Sequence, residues 1–130
     1  MFEMKEKYYT GITFIDEEHK KLFEIAEKAY QLLKSPYELD KYDNIVEVIE
    51  ELRQYTVYHF KDEEKYMESI NYKRLFTQKI DHANFIEKLY EVNLIKVDEN
   101  PDEAIMEILT FLNDWLINHI LDKDLLIASK

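Results

Sequence analysis

Residues Gly11 to Lys34 read GITFIDEEHKKLFEIAEKAYQLLK. Within this stretch Ile15, His19, Leu22, Phe23, Ala26, Tyr30 and Leu33 recur at steps of three and four. An α-helix turns once every ~3.6 residues, so that spacing lines them along one face. Both ends are marked. Gly11, the only glycine of the chain, closes an N-terminal arm. Ser35-Pro36 stops the helix, because the residue before a proline is pushed out of the α region. An apolar stripe of this length predicts a helix that packs against others. It carries one unusual member, the histidine at position 19.

The pattern returns three times. A second stripe runs Ile45, Val48, Ile49, Leu52, Thr56, His59, Glu63, Met67, with Asp40 placed to cap its start. SINY, Ser69 to Tyr72, breaks it. A third runs Leu75, Gln78, His82, Phe85, Leu89, Val92, and its end is expected between Val92 and Asp98. NPDE, Asn100 to Glu103, then offers an N-cap, a proline where no amide hydrogen is needed, and an acid three residues past the cap. The fourth stripe is Ile105, Ile108, Leu109, Leu112, Trp115, Leu116, His119. Four helices of about 20 residues with short connections predict an all-α, up-down-up-down antiparallel four-helix bundle with an extended N-terminal arm. Residues 1–130 read as a single domain.

Composition narrows the function. The net charge is −11, which repels phosphate backbones and argues against a nucleic-acid partner. No apolar run approaches the ~20 residues of a membrane span. The start, MFEMKEKYY, has no apolar signal region, so the expected location is the cytoplasm. There is no cysteine, which excludes disulfides, thiolate catalysis, iron–sulfur clusters and thiolate zinc sites. A metal site here must use nitrogen and oxygen ligands.

The four histidines, His19, His59, His82 and His119, each lie on the stripe of a different helix. If an inward face takes three of seven positions, four unrelated histidines all fall inward about 3% of the time. One alone would be an ordinary core histidine, but four would each need a buried partner. Glu63 follows His59 by one turn on the same face. Asp124 follows His119 by five residues and reaches the same side if that helix end is distorted. Asp62, Glu64 and Asp122 read as solvated-face acids. Inward carboxylates need a partner, and a cation among the histidines would supply it. Bundle cores can hold two metals between facing helices. Imidazole and carboxylate ligands with open positions suit iron better than zinc, with manganese and zinc still chemically acceptable.

Taken together, GITFIDEEHKKL (Gly11 to Leu22), HFKDEEKYM (His59 to Met67), HANF (His82 to Phe85) and WLINHILDKD (Trp115 to Asp124) resemble the hemerythrin family, in particular its bacterial members. The resemblance spans nearly the whole chain, in order and spacing. It implies a non-haem di-iron centre that binds O2 reversibly, with an oxo or hydroxo bridge. In the family one iron takes three histidines and the other two, with a glutamate and an aspartate bridging them. Carried over, His19 and His59 match the ligands of the iron that binds O2. His82 and His119 match two of the three histidines of the other iron. Glu63 and Asp124 match the bridges. Phe60, Trp115 and Leu116 fall at positions lining the family's oxygen pocket, where plain core packing is the alternative.

Two positions depart from that pattern. Met4 stands where many bacterial members carry a tryptophan, which bears on how the arm packs. Gln78 stands where the family has its third histidine, four residues before His82. An amide oxygen can ligate iron but is a poorer donor than imidazole, so Gln78 is a candidate weak ligand. Alternatively it holds a water at the vacancy, or the site holds one metal well. The leading function is an oxygen carrier, store or sensor. Against it stand a di-iron enzyme acting on peroxide or nitric oxide, and an iron-storage or buffering protein.

Overall fold

A computed structural model describes residues 2–35, 41–91 and 101–128. The elements are α1 (Thr13–Lys34), α2 (Lys41–Ser69), α3 (Leu75–Glu91), α4 (Pro101–His119) and a short α5 (Leu125–Ala128), with no strand among the described residues. α1 packs on α2 and α4, and α2 packs on α3. This is the all-α four-helix bundle that the stripes predict. The expected caps at Asp40 and Asn100, and the segment from Val92 to Asp98, lie outside the described residues.

The stripes face inward almost without exception. Ile15 is fully buried, and so are Ala26, Ile45, Ile49, Leu52, Leu89, Ile105 and Leu109, which together with their neighbours form one continuous core. Burying such an aliphatic side chain contributes about 1.5–3 kcal/mol each. The histidines lie toward one end of this core. A small apolar cluster of Met67, Tyr72 and Ile127 lies apart from it, with Ile12 and Leu75 packed against it.

The ends of the helices are fixed by local bonds. The Asp16 carboxylate accepts hydrogen bonds from the Thr10 and Gly11 amides at 2.7 and 3.0 Å, and from the Thr10 hydroxyl at 2.9 Å. Gly11 turns the chain with φ +88°, a conformation that strains a side-chain-bearing residue. The arm before it holds one 3-10 turn, Glu6–Tyr8, and returns to the bundle: Phe2 and Tyr8 are buried, and Tyr8 stacks on Phe23. α2 stops where SINY predicts. Asn71 takes φ 53°, the Tyr72 amide bonds the Met67 carbonyl, and the Asn71 amide bonds the Glu68 carbonyl. That pair of bonds is a Schellman motif with asparagine at its left-handed position.

The last distortion matters for the site. α4 passes into a π turn over Ile120–Asp124, in which the Leu125 amide reaches back five residues to the Ile120 carbonyl. In a regular helix, residues five apart face different ways. The wider turn brings Asp124 round to the side of His119.

Candidate metal centre

His19 on α1, His59 and Glu63 on α2, His82 and Gln78 on α3, His119 on α4 and Asp124 on the π turn all converge inside the bundle. Every one of them is buried. Glu63 Oε2 lies 3.3 Å from His59 Nε2 and 3.7 Å from His19 Nε2, while its Oε1 lies 3.3 Å from His82 Nε2. Asp124 Oδ2 lies 3.1 Å from His19 Nε2, and its Oδ1 lies 3.2 Å from His119 Nε2. His82 and His119 approach each other at 3.2 Å between their Nε2 atoms. Two groups emerge whose ligand atoms lie within 4.8 Å of one another: Glu63, His82, His119 and Asp124, and His19, His59 and Glu63.

Two of the imidazoles are held from behind. His59 Nδ1 meets Glu18 Oε1 at 2.7 Å, and His82 Nδ1 meets Glu64 Oε2 at 2.8 Å. A carboxylate on Nδ1 keeps the proton there and turns the Nε2 lone pair inward, as metal-binding histidines require. Glu64 thus corrects the sequence expectation of a solvated acid, whereas Asp122 is exposed as expected. Glu18 is missed by the reading of stripes. It sits beside His19 in sequence but serves a histidine on another helix, and spacing within α1 carries no sign of that.

Aromatic rings hold two of the imidazoles, those of His82 and His119. Phe60 lies parallel to His82, with ring centres 3.9 Å apart and planes 1° apart. Trp115 stacks on His119 at 4.4 Å and on Phe85 at 3.9 Å. Leu116 is buried in the main core. Phe60 and Trp115 therefore wall the His82 and His119 side most closely.

The electrostatics favour positive charge at this point. Burial alone would lower the His19 pKa, but Asp124 and Glu63 outweigh it and lift it to about 9. Burial opposes protonation of His59 and His82 too, yet Glu18, Glu63 and Glu64 raise both. Burial works against ionised Glu63, but three histidines hold it well below the ordinary carboxylate range. Both Glu63 oxygens and His19 Nε2 nevertheless lack a well-aligned hydrogen bond. A buried carboxylate left in that state is costly, and a cation between the imidazoles removes the cost. The donor set, four imidazoles and two carboxylates, fits a hard-to-borderline transition metal such as iron.

The family model for the hemerythrin HHE cation binding domain matches residues 10–130. The chain belongs to the hemerythrin family. A bacteriohemerythrin of Clostridium acetobutylicum is 48% identical over 124 residues, covering 95% of this chain and 96% of that one. A bacteriohemerythrin of Pseudomonas paraeruginosa is 35% identical over 115 residues, covering 88% and 71%. A myohemerythrin of Theromyzon tessulatum is 33% identical over 130 residues, covering 95% and 93%. Hemerythrins carry non-haem iron, and the buried histidine and carboxylate groups of this bundle suit that cation.

Gln78 is the residue of this hemerythrin domain that sequence alone leaves open. It is 1% exposed. Its Nε2 donates to Asp124 Oδ1 at 3.4 Å, and its Oε1 is buried without a partner. The amide thus lies against the His82 and His119 side of the centre with its N–H end toward the carboxylate.

Proposed function

We propose that this chain holds two iron ions inside its four-helix bundle and binds O2 reversibly there, as a carrier, store or sensor and not as an enzyme. One observation carries the reading. Glu63 and Asp124 each turn one oxygen toward the His19 and His59 side and the other toward His82 or His119. Such a split is what two neighbouring cations sharing two carboxylate bridges need. His19 and His59 would hold one iron, His82 and His119 the other. When bound, the iron pair supplies the electrons and the open positions that reversible O2 binding uses.

The side chains do the rest. Glu18 and Glu64 hold the proton on Nδ1 of His59 and His82, so that Nε2 is free to ligate. Phe60 stacks on His82 and Trp115 on His119, with Phe85 behind Trp115, and these contacts fix the planes of the two imidazoles. Of the three residues expected to line an oxygen pocket, Phe60 also approaches the His19 and His59 half, its ring centre 5.7 Å from that of His59, whereas Trp115 stacks on His119 of the other half. We propose Phe60 as the apolar wall that denies charge a solvated exit at the His19 and His59 half. No described helix is long and apolar enough to cross a membrane, and we place the protein in the cytoplasm.

Absorption spectra of the reduced, iron-loaded chain, cycled between air and argon, test this. A visible band that appears in air and vanishes under argon over many cycles supports it. An irreversible change on first exposure, or saturable turnover of peroxide with a reductant, would favour the enzyme reading instead.

A further inference from the structure

The two halves of the centre are alike. His19 and His59 stand on one side with Glu63 Oε2 and Asp124 Oδ2. His82 and His119 stand on the other with Glu63 Oε1 and Asp124 Oδ1. Each half thus offers two imidazoles and one oxygen of each carboxylate. Non-haem iron held by so few protein ligands keeps open positions. A fifth protein donor would have to come from another side chain, and Gln78 is placed beside the His82 and His119 half.

The structure argues against Gln78 filling that role. Its Nε2 points at Asp124 Oδ1, 3.4 Å away. Turning the amide over would set Oε1 against a carboxylate oxygen, two acceptors facing each other. The N–H end is therefore committed to Asp124, a residue whose direction already depends on the π turn. What remains is Oε1, a fully buried acceptor with no donor from the protein. A buried acceptor in this state calls for an O–H partner.

We propose that Gln78 is a positioning residue for Asp124 and not a ligand, and that the metal held by His82 and His119 keeps an open position filled by water and exchangeable for a small anion. The centre then has an exogenous-ligand position on each metal. The unpartnered Oε1 supplies the acceptor that the water on the second metal needs. This rests on the two-metal reading given above.

The full-length chain loaded with cobalt(II) tests both claims separately. Cobalt is counted first. Two ions per chain uphold the two-metal reading; any other number overturns it and this inference with it. Azide is then titrated while the cobalt absorption bands are followed. The expected counts are two azides in the wild type, one in Gln78→His, whose imidazole fills the position, and two in Gln78→Leu, which has no amide. The second cobalt should also bind about tenfold or more tighter in Gln78→His. One azide in the wild type with two in Gln78→Leu would put the amide oxygen on the metal and overturn the proposal, with the two-metal reading intact. One azide in all three proteins, or two in Gln78→His, would overturn it equally.

Discussion

Removing the Glu18 carboxylate should weaken metal binding more than removing that of Glu64, although neither residue faces the metal. Glu18 Oε1 lies 2.7 Å from His59 Nδ1 with its side chain 10% exposed. Glu64 Oε2 lies 2.8 Å from His82 Nδ1 with its side chain 23% exposed. A hydrogen bond to a charged group contributes about 1.5–3 kcal/mol, and the more exposed partner loses more of that to competing water. The upper part of the range, ~2–3 kcal/mol, belongs to Glu18, and ~1.5–2 kcal/mol to Glu64. At ~1.4 kcal/mol per factor of ten, Glu18→Ala should lose about 30- to 140-fold in affinity and Glu64→Ala about 10- to 30-fold. The Glu64 values fall within the ~10- to 100-fold typical of groups that orient metal-binding histidines, and the Glu18 values run to just above it. Glu18→Gln keeps an acceptor without its charge, so its loss should be intermediate. The assay is anaerobic competition of the metal against a chromophoric chelator, with circular dichroism confirming that each variant is helical. Unchanged affinity in Glu18→Ala, or a larger loss in Glu64→Ala, would refute the reasoning.

The pH dependence of the metal-free chain follows from His19. Its pKa is raised above the ordinary 6.5 to about 9, so it stabilises the fold fully below about 6.5 and ceases to as pH rises through about 9. The metal-free melting temperature should fall over that range, while the gain from added iron grows, because metal replaces the proton; differential scanning calorimetry checks both. Asp16→Ala removes the acceptor of three hydrogen bonds to Thr10 and Gly11 and should cost about 2–4 kcal/mol in urea unfolding, with faster hydrogen exchange along the arm. Leu52→Ala opens a cavity at a fully buried position and should cost about 2–5 kcal/mol without altering the iron count.

The helices and their faces are legible because a 3.6-residue period is a property of sequence. Even Thr56, Glu63 and Gln78, polar as they are, fall on the step and lie buried. Asn71 shows how a break is signalled, since asparagine tolerates the left-handed turn that ends α2. Other features depend on what comes together across helices. Glu18 reaches His59 and Glu64 reaches His82 only once α1, α2 and α3 are side by side. The stacking of Phe60 on His82 has the same origin. The π turn is a partial case. ILDKD, Ile120 to Asp124, has no glycine or proline to announce it, and only the five-residue interval from His119 to Asp124 asks for it. The arm reads as extended, yet Phe2 and Tyr8 are buried because the core leaves apolar surface for them to cover.

The most direct test of the account is the iron content of the aerobic protein, measured with its ultraviolet–visible spectrum on one sample. The split of the Glu63 and Asp124 oxygens between the two halves of the site predicts two irons per chain and the charge-transfer bands of an oxo-bridged ferric pair. One iron per chain, or two irons without those bands, would contradict it.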